Sequence, residues 1–269
     1  MNKKKQLSKG FVIVASVKPA FYTSALNLID SILGYYPDAN ISLFTHKEWV
    51  ENRAEEMCDK VFDCPKHVRS KMYGMMNSPY DITFYIDADC EIWHEDIVKV
   101  WDQLGDNDLC FVRLTKDKKP QSVFAEVYAD IEGTNDRIDL QLCGGVCLYN
   151  NTKPIVKEFM KDWWEMYIIQ EEIAHERRKD PNFDRHDRWW HNGVPQSMLR
   201  WDQFTLWWMV NKMDKYKDLK IGEFEDNYRW NWFTSFGDHV EGKYNNLVDK
   251  EPIVIHNSST MNKNKDFRQ

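Results

Sequence analysis

A chain of 269 residues is long enough to bury a full core and short enough to be one large α/β domain. Its 42% hydrophobic and 29% charged residues are those of a globular protein, and no stretch reaches the ~20 apolar residues that span a bilayer. With 36 basic against 43 acidic side chains the net charge is −7, which argues against binding nucleic acid through the whole surface but leaves room for a local basic groove.

The six cysteines (58, 64, 90, 110, 143, 147) show no C-x-x-C spacing, so neither a zinc site nor a disulfide framework is readable and a reducing cytosol is expected. The apolar run Phe11–Val17 that follows the basic MNKKKQLSKG is too short for the usual signal sequence. A soluble, cytoplasmic protein without its own membrane anchor is therefore expected. The twelve Trp, above all the paired ones, are expected mostly in the core.

Phe11–Ser16 reads as a strand buried on both faces, and Phe21–Leu33 as a helix that ends near Gly34 and Pro37. Ile41–Thr45 is a second strand, Lys47–Cys58 a second helix and Val61–Phe62 a short third strand. Arg69–Met76 is helical and stops before Ser78-Pro79, because the residue ahead of a proline is pushed out of the α region. Ile82–Ile86 is a strand that runs straight into Asp87-Ala88-Asp89, followed by a short helix, Ile97–Leu104, and a strand, Leu109–Leu114. This alternation predicts a mostly parallel sheet covered by helices.

Farther on, Gly144-Gly145 leads into a strand, Val146–Tyr149. Pro154 near a helix start and apolar residues at 155, 159, 163, 166 and 167 predict a long amphipathic helix over Pro154–Arg177. Lys179–Met198 reads as a long loop, Trp201–Met213 as a buried helix and Ile253–Ile255 as a closing strand before His256 and a Lys/Asn-rich tail. One domain with two unequal lobes, about 1–115 and about 116–269, fits this layout.

The chemistry concentrates at Asp87-Ala88-Asp89. In an extended segment residues i and i+2 share a face, so the two carboxylates can converge on one cation. The position beyond the carboxyl end of a central strand is where open α/β sheets bind ligands. Hard oxygen donors suit Mn²⁺ or Mg²⁺. Asp106-Asn107-Asp108 repeats the spacing but precedes a strand in a polar stretch, where a solvated turn is expected. Of the eight His, only His256 ends an apolar strand and meets a polar loop, which favours a ligand role. Gly144-Gly145 serves either as a turn or bulge or as a close-approach point. Asp202, at a helix start, is either an N-cap or a site residue. Lys71 is either a point charge for phosphate or a solvated surface lysine, with Arg69 as the fallback.

The stretch Lys71-Met72-Tyr73-Gly74 … Ser78-Pro79-Tyr80-Asp81 … Phe84-Tyr85-Ile86-Asp87-Ala88-Asp89 resembles the DXD segment of GT-A glycosyltransferases. It looks most like the glycogenin-like and lipopolysaccharide galactosyltransferase-like retaining families. Three further segments follow in the same order: Cys143-Gly144-Gly145-Val146, Trp201-Asp202-Gln203 and Ile253-Val254-Ile255-His256. The resemblance spans roughly residues 11 to 263. Where those families continue the His with Gly and a Lys-Pro-Trp, this chain has Asn257-Ser258-Ser259 and then Lys263 or Lys265.

The resemblance implies a GT-A type, Rossmann-like α/β fold with a mostly parallel central sheet flanked by helices. It implies a nucleotide-sugar donor, UDP-linked, bound mainly by the first lobe. Asp87, Asp89 and His256 would hold Mn²⁺ or Mg²⁺, with Ala15, Ser16 and Val17 against base and ribose. Lys71 and Lys263 would meet the diphosphate, Gly144 and Gly145 the donor sugar, and Asp202 and Gln203 the reaction centre. The acceptor stays open between glycan, lipid, protein and modified DNA base. Two rival readings are a sugar nucleotidyltransferase and a non-catalytic carbohydrate- or nucleic-acid-binding module. The first needs a Gly-rich loop after the first strand, and no Gly lies between Gly10 and Gly34. The second leaves the paired carboxylates without a task.

Overall fold

The computed structural model describes residues 6–113, 142–182, 188–191, 194–197, 202–233 and 250–257. It begins with β1 (Lys9–Val14), α1 (Pro19–Tyr35), β2 (Ile41–Thr45), α2 (Asn52–Met57), β3 (Lys60–Asp63) and α3 (Ser70–Met76). Next come β4 (Ile82–Ile86), β5 (Cys90–Ile92), a 3-10 helix over Glu95–Leu104, β6 (Leu109–Arg113) and β7 (Leu142–Asn150). The long helix α4 (Pro154–Arg177) is followed by β8 (Arg188–His191), β9 (Val194–Ser197) and α5 (Asp202–Lys212). The last elements are β10 (Ile221–Glu223), α6 (Asn227–Trp230), β11 (Trp232–Phe233) and β12 (Val254–His256).

Seven strands form the central sheet in the order β10-β6-β7-β4-β1-β2-β3. Every neighbouring pair is parallel except the two made by β7, which runs antiparallel to β4 and β6. The alternation of side chains sorts the core into two layers. Phe11 and Ile13 of β1, with Phe84 and Ile86 of β4, pack with Leu28, Ile29 and Ile32 of α1. Val12 and Val14, with Tyr85, face the other way and pack with Met72 and Met75 of α3 and Trp163 of α4. Both faces are thus covered, which is why these strands read as unbroken apolar runs.

A small second sheet, β11-β12-β5, sits beside the main one, with β12 antiparallel to β5 and His256 opposite Cys90. Arg229 fixes it in place. Its guanidinium donates from Nε to the Glu251 carbonyl (2.7 Å) and from Nη2 to Asp96 Oδ2 (2.9 Å), and its own carbonyl accepts from the Ile253 amide (2.6 Å).

The structure departs from the sequence reading in several places. The helix expected over Lys47–Cys58 is broken into a 3-10 turn, Lys47–Trp49, and α2, because the Glu51 amide donates to the Tyr22 hydroxyl (3.1 Å) between them. Inside the stretch read as a loop, β8 and β9 pair as an antiparallel hairpin. Asp108 does not lie in a solvated turn: it is buried, paired with Lys153, and accepts the Lys220 amide (2.9 Å), which ties β6 to the approach to β10. None of the six cysteines is paired.

Candidate functional site

The carboxyl ends of β4, β1 and β2 share one edge of the sheet, and β7, running the other way, brings Gly144 and Gly145 to the same edge. Asp87 and Asp89 do not continue β4 as an extended strand. The chain turns at once, with the Asp87 carbonyl accepting the Cys90 amide (3.1 Å), so a tight turn places the two carboxylates. Asp87 stays with the α3 layer, where its Oδ1 accepts from the Tyr85 hydroxyl (2.5 Å). Asp89 swings to β12, where its Oδ1 lies 3.1 Å from His256 Nε2.

Asp89 is nine-tenths buried, and its Oδ2 has no hydrogen-bond partner among the described residues. A buried carboxylate oxygen without a partner among the described residues, beside an imidazole nitrogen, is a donor set that fits a divalent cation. On its far side, His256 Nδ1 faces Asn231 Oδ1 (2.9 Å), and Asn231 is held by the contact of its amide with Cys143 Sγ (3.1 Å). Both ring nitrogens therefore face acceptors, the arrangement that suits a protonated ring. Burial pulls the His256 pKa down, but Asp89 and then Asp87 outweigh it and hold it above the ordinary value. Burial raises the Asp89 pKa, and His256 more than reverses it. Cys90 Sγ belongs to the same cluster, within 4.8 Å of the Asp89 and His256 donor atoms. Burial, with Asp89 and Asp87 nearby, pushes this thiol well up, so it stands there protonated.

The two glycines of β7 sit at a register shift between Phe111 and Val112 of β6. Such a bulge re-aims a strand locally. The Gly145 carbonyl accepts the Asp87 amide (2.8 Å), and its Cα lies so close that a Cβ would come within 2.6 Å of Asp87 Oδ2 and 3.3 Å of His256 Cε1. Gly144 does the same on the other face, where a Cβ would meet Asp202 Oδ2 at 3.0 Å and Trp163 at 3.2 Å. The bulge and the close approach are thus one feature. Gly145→Ala is expected to displace Asp87 while leaving the sheet intact, with unchanged circular dichroism and affinity for an added divalent cation, should one bind there, about 10–100-fold below wild type. Wild-type metal titration of that variant would argue against the close-packing account.

Asp202 opens α5, and its carbonyl accepts Trp163 Nε1 (2.9 Å) from α4. Its carboxylate is not an exposed cap. Lys71 Nζ lies 2.9 Å from Oδ2 and Arg69 Nη1 3.3 Å from Oδ1, while Lys71 also reaches Asp87 Oδ1 at 3.6 Å. Burial raises the Asp202 pKa, but Lys71 and Arg69 outweigh it and keep the group ionised. Lys71 is 12% exposed at its side chain and is no solvated surface lysine.

Ala15, Ser16 and Val17 lie where β1 leaves the sheet. Ser16 Oγ donates to the Pro65 carbonyl (2.9 Å), and the Val17 amide donates to His46 Nε2 (3.2 Å). Gln203 falls within α5 with its side chain outside the described residues, and Lys263 lies outside them altogether, as do Lys265 and the segment 120–140. Sequence reasoning missed His46, Asn231 and Cys90. Cys90 had a visible cue in its adjacency to Asp89, whereas the other two act through contacts that no local pattern announces.

No family model matches the chain, and no curated protein is similar to it in sequence. Solved structures do resemble it. The bifunctional glycosyltransferase WbbM aligns with a TM-score of 0.54 at 13% identity, covering 95% of this chain and 46% of its own. Mouse xyloside xylosyltransferase 1 gives 0.52 at 12% identity, covering 94% and 98%. The glycosyltransferase GlyE of Streptococcus pneumoniae TIGR4 gives 0.50 at 17%, covering 92% and 54%. The chain thus spans about half the length of WbbM and GlyE and nearly all of the xylosyltransferase. Its fold is the GT-A glycosyltransferase fold.

Proposed function

We propose that the chain is a divalent-metal-dependent glycosyltransferase that moves a sugar from a nucleotide diphosphate sugar, a UDP-sugar, to an acceptor hydroxyl. The observation that carries this reading is the unpartnered, buried Asp89 Oδ2 beside His256 Nε2, at the ligand-binding edge of a sheet shared with glycosyltransferases. Asp87, Asp89 and His256 are the residues that would hold Mn²⁺ or Mg²⁺. Such an ion supplies positive charge to a departing diphosphate. Lys71 is poised to add a second charge, and Lys263 is proposed to close over the same group. Gln203 and Gly144 would border the donor sugar.

Asp202 bears on the stereochemistry. Inversion needs a carboxylate free to take the acceptor proton. Here both oxygens of Asp202 are engaged by Lys71 and Arg69, and its pKa is lowered, which makes it a weak base. That supports a retaining reaction in which Asp202 orients the two cations. No described helix is long and apolar enough to cross a membrane.

The test is a thermal-shift series with UDP, GDP, CDP and TDP, each with and without Mn²⁺, followed by donor hydrolysis with and without EDTA. A ligand that binds only the folded state raises the melting temperature by mass action. UDP with Mn²⁺ is expected to give the largest shift. No shift with any of the four would sink the reading.

Proton linkage gives an independent check. Metal binding needs neutral Nε2, whereas Asp89 holds the His256 ring protonated in the free protein to above the ordinary histidine value of about 6.5. Mn²⁺ affinity should therefore rise with pH through that raised value and level off above it. Calorimetry in buffers of different ionisation enthalpy should count about one proton released per ion below that value, falling towards none above it. Affinity that is flat across this range would show that His256 is not a ligand.

A further inference from the structure

We propose that His46, at the end of β2, is a positioning residue for the nucleoside half of the donor, acting through the Ser16–Lys18 turn; this rests on the donor reading above. Val17 has φ +73°, and the Lys18 amide donates to the Ser16 carbonyl across it (2.9 Å). This is a γ-turn of the rare, strained hand. A β-branched residue does not choose that backbone region, and such strain persists only where surrounding groups enforce it.

The enforcing groups are visible. His46, 4% exposed, presents Nε2 to the Val17 amide at 3.2 Å and to Ser16 Oγ at 3.1 Å. Ser16 Oγ accepts the His67 amide (3.2 Å), and its single proton lies between two acceptors, the Pro65 carbonyl (2.9 Å) and His46 Nε2 (3.1 Å). Trp49 backs the imidazole edge-on, with centroids 4.4 Å apart. The Val17 and Lys18 amides are consumed inside the protein, so what these two residues offer a ligand is carbonyl acceptors and a fixed shape.

The sheet says which part of a ligand meets this turn. In the order β4-β1-β2, the cation-holding carboxylates follow β4, the turn follows β1 and His46 follows β2. Neighbouring strands are about 4.8 Å apart, so His46 lies roughly 10 Å from the carboxylates across the same edge. From a diphosphate anchored at Asp87 and Asp89, that is the reach of a ribose and base. No glycine occupies the turn, and the shape is set from outside by a residue of the next strand.

The experiment compares His46→Leu with His46→Gln, whose side-chain oxygen can stand where Nε2 stands. Binding is measured by calorimetry with Mn²⁺ for two probes: inorganic pyrophosphate, and whichever of UDP, GDP, CDP and TDP the wild type binds. His46→Leu should weaken the nucleoside diphosphate about tenfold, leave pyrophosphate within about twofold, and be largely rescued by Gln. Placing His46→Leu on a Val17→Gly background should shrink its effect, because glycine takes positive φ without enforcement. Equal weakening of both probes, or Leu and Gln variants that behave alike, overturns the proposal. Wild-type protein that binds no nucleoside diphosphate overturns the donor reading and this inference with it. Wild-type binding with an unaffected Leu variant overturns this inference alone.

Discussion

Asp89→Ala is expected to abolish Mn²⁺-dependent stabilisation and to lower donor hydrolysis and transfer by at least about a thousandfold, with the fold retained. The reason lies in what the side chain does without metal. Its Oδ2 is buried and unpartnered among the described residues, so removing it relieves a desolvation cost even as His256 loses a partner. Thermal stability of the metal-free variant should stay close to wild type while its response to Mn²⁺ disappears. Asp108→Ala should do the opposite. Asp108 ties Lys153 and the Lys220 amide together from a buried position, so its loss should lower stability and leave the metal response in place. An Asp89→Ala enzyme that keeps near-normal activity in the presence of EDTA would remove the metal centre from the mechanism.

Asp202→Asn should carry the largest cost in stability. Its carboxylate is 4% exposed and faces both Lys71 and Arg69, which are 12% and 25% exposed. Breaking a buried ion pair from one side leaves uncompensated charge, typically 3–5 kcal/mol. Because Arg69 is partly solvated and Lys71 keeps Asp87 at 3.6 Å, the low end applies, about 3 kcal/mol. For a chain of this size that is roughly 6–12 °C in melting temperature. Adding Lys71→Met should restore part of it by removing one orphaned charge. A single variant as stable as wild type would show that the pairs are water-screened and contribute little.

Much of the sheet was legible because buried parallel strands write themselves as apolar runs. β1, β2 and β4 fall within a residue or two of where Phe11–Ser16, Ile41–Thr45 and Ile82–Ile86 placed them, and α4 spans Pro154–Arg177 as its proline and apolar spacing required. β5, β10 and β11, of two or three residues, have no room for a period and were invisible, whereas β12, equally short, was marked by its apolar run Ile253–Ile255. The hairpin β8–β9 hid in a polar stretch without an apolar alternation.

At the site, the residue types were readable but their pairing was not. Asp87, Asp89, His256, Asp202 and Lys71 all come to one edge, yet the geometry that gathers them differs from the one assumed. A turn at Asp87–Cys90, and not strand alternation, sends Asp87 toward Lys71 and Asp89 toward His256. The same limit explains Asp108, where identical D-x-D spacing gave no hint of Lys153, far along the chain.

β12 contributes His256 by pairing with β5, the strand that leaves Asp89. Of the described elements it is the last to be synthesised, and Arg229 and Glu251 must already flank it. The Asp89–His256 cluster is therefore a product of long-range closure and not of any early-folding unit, and such contacts form slowly. While the chain emerges from the ribosome its sheet can assemble around β4 with the carboxylates in place, yet no imidazole faces them. A nascent polypeptide stalled short of residue 254 would carry an acidic edge without its imidazole, and under the proposed metal reading the pairing of β12 with β5 is the step that completes the donor set.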